Sequence, residues 1–315
     1  MRVLLALDGS VPADAARRAV ASLALPSGSV IDVLGVVGPG SPSTTPVVST
    51  DDPGATDRGV DLERVVEDAV ASLQESDLVV NGSIAVGRPA STIVEVAADE
   101  RAELIVVGSR GRGPFASLLL GSVSAEVVDH APCPVLVARS ALDGPVLVAV
   151  DGSPTADAAV AYLVANRIAE EHPIHVLGVA HLLGVAAAWE AGALSAVALE
   201  NLDEQRRAER DDLEESAARA VHRLRAAGYH AEYSIVDGHA PQQIIECATE
   251  LGCGLIVMGS RGMTGLKRIL VGSVARATLM HATASVLIVR EPIRVELPER
   301  AEARESKRII AAASA

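Results

Sequence analysis

Two segments of the chain carry glycines and serines at one fixed spacing, and these residue types are suited to binding phosphate. In residues 108–122 the order is a glycine, two other residues, a glycine, nine other residues, and then glycine and serine; residues 259–273 repeat it. Glycines let backbone N–H groups approach an anion closely, and a serine adds a hydroxyl donor. The pattern therefore predicts two anion-binding sites. Their candidate residues are Gly108, Arg110, Gly111, Gly121, Ser122 and Val123, and Gly259, Arg261, Gly262, Gly272, Ser273 and Val274.

Each pattern ends where a helix is predicted to begin, at Gly121 and at Gly272. The unpaired N–H groups and the positive dipole end of a helix N-terminus attract phosphate, and Arg110, Arg112 and Arg261 can add positive charge. In the structural alternative, the glycines only form tight turns between strand and helix, and the serine is an N-cap. The repetition of one spacing favours the anion-binding interpretation.

The two patterns belong to a duplication of the whole chain. Residues 3–10 read VLLALDGS and recur as VLVAVDGS at residues 146–153, a separation of 143 positions. Gly108 and Gly259 are 151 positions apart, so the second copy contains eight additional residues before its glycine pattern. The duplication predicts two domains and a tail. These are residues 1–140, residues 144–292, and a C-terminal tail at residues 293–315.

Within each copy, apolar runs alternate with patterns typical of helices. In the first copy Ser10 is predicted to cap a helix, and apolar residues spaced along residues 62–73 form one helix face. Alternating strands and helices predict a parallel sheet with helices on both faces, and the fold class is α/β, with two Rossmann-like domains of five parallel strands each. The predicted strands of the first copy are residues 3–7, 30–37, 78–86, 104–107 and 135–138.

These motifs resemble the ATP-binding branch of the universal stress protein family, over residues 1–140 and 144–291. The resemblance implies a Rossmann-like domain of the adenine-nucleotide α-hydrolase type, with ATP and Mg²⁺ bound at the glycine loop. It also implies that residues 121–124 contact the triphosphate. Ser124 thereby joins the phosphate-binding residues of the first copy. The resemblance further implies residues on the adenine side and in a turn beside the nucleotide. These are Asp8, Val36 and Gly87 in the first copy, and Asp151, Val179 and Gly238 in the second.

The second copy departs from the family pattern at three places. Ala275 stands where the first copy has Ser124, which implies that one phosphate donor is missing. The proline that follows Gly238 is one position later than the proline that follows Gly87, and the two prolines at 132 and 134 have no counterpart. We expect both sites to bind ATP, the second more weakly.

Composition and charge exclude several function classes. The net charge is −14, the pI is about 5.0 and only 2% of the residues are aromatic, so no nucleic-acid partner is expected. Three cysteines form neither a disulfide framework nor a zinc-binding CxxC pair, which predicts a cytoplasmic protein. The apolar stretch at residues 182–199 contains Glu190, two glycines and many alanines, so no membrane partner is expected.

Enzyme interpretations lack the motifs that they require. The chain has no GxxxxGK[ST] loop, no GxGxxG after its first strand and no HExxH. His130 and His281 are predicted to lie at helix ends, where a cation is favourable, and no catalytic residue or metal site is predicted. Three hypotheses remain open. They are an ATP-binding regulator of the stress response that acts as a switch, a slow ATPase or nucleotidyl-transfer enzyme, and an interaction module with structural glycine loops.

The last strand of each copy suggests how the two copies interact with each other. The last strands of the two copies, residues 135–138 and 286–289, are apolar and would otherwise be sheet edges, so we expect them to pair. The family resemblance implies the same pairing. A homodimer and an unidentified protein partner complete the expected interactions. The tail after residue 291 is expected to be a frayed helix or disordered, with a docking segment as the alternative.

Overall fold

The computed structural model describes residues 1–38, 62–74, 78–110, 120–181, 196–262, 271–290 and 308–309. The chain divides into two units. Unit 1 contains residues 1–21, 27–139 and 294–315, and unit 2 contains residues 22–26 and 140–293. Each unit holds one copy of the glycine pattern, so each can be described as a separate α/β layer structure.

Unit 1 is a parallel sheet with the strand order β3-β2-β1-β4-β5. The strand order reverses between β1 and β4, because β2 and β3 lie on one side of β1 and β4 and β5 on the other. Ligands of open α/β sheets bind at such a reversal, beyond the carboxyl ends of the strands. The elements are β1 (Arg2–Leu7), α1 (Val11–Ala21), β2 (Val30–Val37), α2 (Leu62–Leu73), β3 (Val79–Val86), α3 (Pro89–Asp99), β4 (Leu104–Gly108), α4 (Ser122–His130) and β5 (Val135–Ala138).

Unit 2 repeats this arrangement with the strand order β8-β7-β6-β9-β10, again with parallel neighbours. The prediction of five parallel strands in each copy is confirmed. The elements are β6 (Val146–Val150), α5 (Pro154–Asn166), β7 (Ile174–His181), α6 (Ala196–Ala226), β8 (Ala231–Gly238), α7 (Ala240–Glu250), β9 (Leu255–Gly259), α8 (Ser273–His281) and β10 (Ser285–Val289).

The central strands are buried on both faces. Successive side chains of a strand point to opposite faces, and every residue of β4 and β6 is buried. Continuous Val, Leu and Ile runs are typical of such strands, because helices cover both sides of a parallel sheet. The predicted helix stripes are buried too. In α6 they are Leu213, Ala217, Ala220, Val221 and Leu224, and in α2 they are Leu62, Val66, Ala69, Val70 and Leu73.

The helix α6 is much longer than its counterpart, with 31 residues against 12 in α2. The charged residues 204–210 lie on its exposed and half-exposed positions, as their composition predicts. Most of the apolar stretch at residues 182–199, including Glu190, falls outside the described residues. Of the helices that the structure describes, none is both long and apolar enough to cross a membrane.

The tail contributes a short strand, β11 (Arg308–Ile309), to unit 1. It pairs antiparallel with β3, where Arg308 lies opposite Ser83 and Ile309 lies opposite Gly82. At these two residues the expected helix or disorder is replaced by strand. The physical reason is that an edge strand such as β3 presents unpaired backbone N–H and C=O groups that an extended segment can bind.

Candidate functional site

Both glycine patterns lie at the carboxyl end of their own sheet. The first glycine of each pattern, Gly108 or Gly259, is the last residue of β4 or β9. The last glycine returns to the same place: the N–H of Gly121 donates to Ser109 O at 2.7 Å, and the N–H of Gly272 donates to Ser260 O at 2.8 Å. The two ends of each pattern are thus held together, and a helix starts beside the strand end in both units.

The helices α4 and α8 both begin at this edge. Gly121 and Gly272 are the N-caps, with extended backbone angles of φ −74°, ψ 154° and φ −65°, ψ 161°. Ser122 is therefore the first helical residue and not the N-cap, and the side chains of Ser122 and Ser273 are exposed. Among the described residues no side chain caps either helix, so the first-turn N–H groups remain suited to an anion.

The first glycine of each pattern is required by packing. A Cβ on Gly108 would lie 2.5 Å from the carbonyl oxygen of Pro12, and one on Gly259 would lie 2.5 Å from Thr155 Oγ1 and 2.6 Å from its carbonyl carbon. The strand end rests directly against the first turn of α1 or α5. Packing against this turn is thus a sufficient reason for glycine at both positions, and a contact of either glycine with a ligand stays a prediction.

Asp151 and Gly262, two predicted site residues of unit 2, are neighbours. A Cβ on Gly262 would lie 2.8 Å from Asp151 Oδ2, while Asp151 Oδ1 accepts a 2.9 Å hydrogen bond from the N–H of Ser153. In unit 1 the N–H of Ser10 donates to Asp8 Oδ1 at 3.0 Å. A carboxylate after the first strand is therefore oriented in the same way in both units. Gly111 and Arg112 lie outside the described residues.

The role expected for Ser124 changes. Its side chain is only 4% exposed, and its hydroxyl donates to the carbonyl oxygen of Gly108 at 2.7 Å. That bond holds α4 against the end of β4 and commits the hydroxyl proton to the backbone. Ser124 thus has a packing role, and its expected contact with phosphate stays a prediction. The buried Ala275 occupies the equivalent position in unit 2, so its lack of a hydroxyl removes a packing bond.

The loop after β9 has an anchor that the sequence analysis missed. Thr155 Oγ1 donates to the carbonyl oxygen of Arg261, Ser153 Oγ donates to the same oxygen at 3.3 Å, and the N–H of Arg261 lies 3.4 Å from Thr155 Oγ1. Pro12 stands at the equivalent position of unit 1 and offers no hydroxyl. The replacement of proline by threonine between the aligned copies was the available signal.

The remaining predicted residues lie at the same sheet edge. Gly87 follows β3, and its N–H donates to Val37 O at 2.9 Å, next to Val36. In unit 2, Val179 lies on β7, while Gly238 ends β8 with φ +152°, a backbone conformation that favours glycine. Val123 and Val274 lie half-buried in the first turns of α4 and α8. Strands β1 to β4, and β6 to β9, thus bring the described candidates of each unit to one edge.

Two further arginines follow the last strands and were not singled out from the sequence. Arg139 follows β5, and Arg290 follows β10 and is 7% exposed. Burial and the positive charge of Arg110 lower the pKa of Arg139 to about 10. The signal that could have found them is that an arginine comes directly after the last strand in both copies.

The predicted helix-end role of His130 agrees with its surroundings. His130 is the last residue of α4, and its Nδ1 lies 2.9 Å from the carbonyl oxygen of Glu126, one turn earlier. His281 is likewise the last residue of α8. Within the described ranges, no group of three or more His, Cys, Asp or Glu side chains could hold a metal ion.

Sequence comparison matches both copies to one family. The model described as the universal stress protein family matches residues 1–139 and 144–290. The universal stress protein Rv2005c of Mycobacterium tuberculosis is 30% identical over 310 residues, which cover 92% of this chain and 97% of the relative. A universal stress protein of Mycolicibacterium smegmatis is 26% identical over 309 residues, covering 91% of this chain and 96% of the relative.

Solved structures share the fold over nearly the whole chain. A universal stress protein from Archaeoglobus fulgidus has a TM-score of 0.61 at 20% identity and covers 92% of this chain and 98% of its own. A putative universal stress protein from Pseudomonas aeruginosa has a TM-score of 0.58 at 18% identity and covers 92% of both chains. With the two family matches and relatives that align along both copies, this chain belongs to the universal stress protein family.

Proposed function

We propose that the protein binds ATP with Mg²⁺ at two sites, one in each unit, and acts as a nucleotide-dependent switch in the stress response. The observation that carries the proposal is the repeated closure of the glycine pattern, with Gly121 on Ser109 and Gly272 on Ser260. In both units a helix begins at the carboxyl edge of a parallel sheet, with no side-chain cap among the described residues. Phosphate binds such a helix start through backbone N–H groups and the helix dipole.

The proposed adenine side lies at the neighbouring strand ends. Asp8 and Asp151 are oriented by the N–H groups of Ser10 and Ser153, so each carboxylate has a defined direction at the first strand's end. A fixed carboxylate accepts hydrogen bonds from nucleoside hydroxyl or amino groups, or holds Mg²⁺ through water. Pre-set acceptors of this kind lower the ordering cost of binding.

A binding role is favoured over fast catalysis by the same carboxylates. General-base catalysis needs a group within hydrogen-bond reach of the attacking water and with a pKa near the working pH. Both sites have one aspartate in common, Asp8 or Asp151, and its carboxylate already accepts a hydrogen bond from a backbone N–H. The nucleotide then acts as a switch because it binds one conformation of the chain better than another.

We further propose a cytoplasmic location and pairing of the two copies through β5 and β10. We also propose that the chain forms a homodimer, and sedimentation would test this oligomeric state.

The first experiment is to purify the chain, denature it and quantify the released nucleotide by chromatography. About two ATP per chain are expected from two competent sites, and recovery of ADP would instead promote slow hydrolysis. Absence of nucleotide, together with no thermal shift in added Mg-ATP, would leave the glycine loops structural and favour an interaction module.

A pair of variants tests the helix starts directly. In the double variant Ser122→Glu with Ser273→Glu, a carboxylate lies at the first helical position of α4 and α8. A negative charge there stabilises a helix but repels phosphate, so ATP binding should be lost while the melting temperature stays equal or rises. The control, Ser122→Ala with Ser273→Ala, removes only hydroxyls and should retain most of the affinity. Full affinity in the glutamate variant would refute the site.

A further inference from the structure

A cavity lies at the amino ends of the unit 2 strands, at the edge of the sheet opposite to the glycine pattern. Its volume is about 620 Å³, and small-molecule sites generally have volumes of about 300–1,000 Å³. Ile174 and Ala231, which line it, are the first residues of β7 and β8. Every residue that lines the cavity belongs to unit 2. The cavity is therefore separate from both proposed nucleotide sites.

Unit 1 fills the equivalent place with an ion cluster. There Arg2 Nη1 binds Asp32 Oδ2 at 2.9 Å and Glu100 Oε2 at 3.1 Å. The equivalent residues of unit 2 include no acid, and all of them line the cavity. They are Pro145, His175 and Leu251. Because the two carboxylates are replaced, this edge repels an anion less in unit 2 than in unit 1.

Arg225, near the end of α6, supplies a fixed cation to the cavity. Its Nε donates to the carbonyl oxygen of Ala231 at 2.8 Å, and this bond holds the guanidinium against the cavity wall. A guanidinium has five N–H donors, and among the described residues the other four have no hydrogen-bond partner. The equivalent residue of unit 1 is the uncharged Gln74. A guanidinium held in this way can bind a carboxylate through two parallel hydrogen bonds.

The surface beside Arg225 is mostly apolar. Ile174 is 2% exposed, and Tyr229 is buried with its hydroxyl donating to Leu163 O at 2.9 Å. Tyr229 therefore contributes ring surface to the cavity rather than a hydrogen bond. Leu251 is 41% exposed, and covering such apolar surface with an apolar ligand body is favourable.

One acid limits the charge that a ligand of this cavity can carry. Glu232 lines the cavity with a side chain that is 75% exposed, and its Oε1 lies 3.3 Å from His175 Nδ1. The other ring nitrogen of His175 lies 2.8 Å from Ser234 Oγ. A phosphate monoester carries about two negative charges, so Glu232 repels it more strongly than it repels a carboxylate. The charges at the cavity thus favour a monoanion.

We propose that this cavity is a further ligand site of unit 2, and that it binds a small organic monocarboxylate with an apolar body. The carboxylate binds the terminal N–H groups of Arg225, and the apolar body lies against Ile174, Tyr229 and Leu251. The proposal does not depend on nucleotide binding, because the glycine patterns lie at the other edge of the sheet.

The test is a titration of the full chain, labelled at the isoleucine δ1-methyl groups, with 2-naphthoate in saturating Mg-ATP. The NMR signal of Ile174 should shift saturably, while that of Ile31, its counterpart in unit 1, should stay in place. For a ligand of this size we expect a dissociation constant of about 1 mM or below. The neutral 2-naphthamide should bind about tenfold more weakly, because it cannot form the charge-assisted bonds to Arg225.

Arg225→Gln introduces the residue that unit 1 has at this position. The affinity for 2-naphthoate should fall about tenfold, while the affinity for 2-naphthamide should change by less than about threefold. The matched control is Arg223→Gln, which removes an exposed arginine from the same turn of α6 outside the cavity. The control should bind both ligands as the parent chain does. Thermal unfolding without ligand shows whether each variant is folded.

A second variant closes the cavity with the residues of unit 1. Pro145→Arg, His175→Asp and Leu251→Glu together reproduce the set that forms the ion cluster of unit 1. The shift of Ile174 with 2-naphthoate should be lost. Nucleotide stoichiometry should be the same as in the parent chain, since the carboxyl edge is unchanged.

Each other outcome overturns a stated part of the proposal. A parent chain whose Ile174 signal does not respond to 2-naphthoate has no such ligand site. Equal affinity for 2-naphthamide, or unchanged affinity in folded Arg225→Gln, refutes carboxylate recognition by Arg225. Tighter binding of 2-naphthyl phosphate at Ile174 refutes the preference for a monoanion. None of these results bears on the proposed nucleotide sites, whose occupancy is measured separately by released ATP.

Discussion

Units 1 and 2 secure the end of the strand that carries the first glycine by different bonds. In unit 1, Ser124 donates to the carbonyl oxygen of Gly108, while Pro12 occupies the first turn of α1. In unit 2, Ala275 removes the first bond, and Thr155 binds the backbone of Arg261 instead. The difference teaches that the close approach of strand and helix is the shared requirement, and that the side-chain bonds securing it are exchangeable.

The opposite edge of the sheets differs much more. In unit 1, Arg2 Nη1 binds Asp32 at 2.9 Å and Glu100 at 3.1 Å. The equivalent residues of unit 2 are Pro145, His175 and Leu251. There His175 Nε2 lies 2.8 Å from Ser234 Oγ, and a cavity of about 620 Å³ takes the place of the ion cluster. Pro145, His175 and Leu251 all line this cavity. The two units therefore differ in sequence at the amino ends of their strands and repeat each other at the carboxyl ends, as expected if the carboxyl edge carries the shared function.

The largest expected effect tests what the copies share. Gly108→Ala and Gly259→Ala should each cost about 3 kcal/mol of unfolding free energy, because a Cβ would lie 2.5 Å from Pro12 O in the first and 2.5 Å from Thr155 Oγ1 in the second. Hydrogen exchange of β4 and β9 amides, read by mass spectrometry, should localise each loss to the unit that carries the change. Unchanged protection of both strands would show that these glycines are not packing residues.

The next effect tests what is special to unit 2. Thr155→Val removes the hydroxyl that binds Arg261 and should cost about 1–2 kcal/mol, with weaker ATP binding at the second site only. Thr249→Val is the matched control, since Thr249 Oγ1 donates to Ile245 O on the exposed side of α7. Chemical denaturation and nucleotide stoichiometry measure both effects. An equal response in the two variants would mean that the Thr155 anchor has no particular role at the loop.

A smaller effect should appear when the anchor of unit 1 is exchanged. Ser124→Ala leaves the carbonyl of Gly108 without its 2.7 Å partner and should cost about 1 kcal/mol. Ala275→Ser places a hydroxyl at the equivalent position of unit 2 and should stabilise that unit by up to about the same amount. Bound ATP should remain about two per chain in both variants. A loss of ATP from Ser124→Ala without a loss of stability would instead support the phosphate contact expected for Ser124.

The smallest effect concerns the ion cluster at the amino edge of unit 1. Arg2→Met should cost at most about 1 kcal/mol, because the side chains of Arg2 and Glu100 are 36% and 37% exposed and solvent screens such pairs. The difference between variant and parent should shrink further in high salt. Denaturation of both proteins at two salt concentrations measures it. A salt-independent loss would point to lost packing of the Arg2 stem rather than to charge.

Local patterns predicted the elements well, and long-range contacts account for what they missed. Strands such as Val30–Val37 and Val135–Ala138 begin and end at the predicted residues because buried parallel strands are continuous apolar runs. The glycine spacing likewise found the carboxyl edge in both copies. The need for glycine at position 108 could not be predicted from the local sequence, because it depends on contact with Pro12, which is distant along the chain.

The details of the helix start and of the charges were also beyond local reasoning. Serine is a better N-cap than glycine in general, yet Gly121 takes that position because its N–H is bonded to Ser109. The effect of the Arg110 charge on the pKa of Arg139 depends on the order of β4 and β5 in the sheet. Aligning the two copies with each other would have revealed Thr155 and Arg290, because both positions stand out only in that alignment.

The strand β11 has a consequence for how the chain is made. Unit 1 includes Arg308–Ile309, which pair with β3, so the ribosome completes the polypeptide of unit 2 before the outer strand of unit 1 exists. During synthesis β3 therefore remains an open edge until Arg308–Ile309 are made, and open edges recruit other extended segments. An expression fragment cut between the copies would carry that open edge permanently, whereas a fragment of unit 2 would lose none of its own five strands.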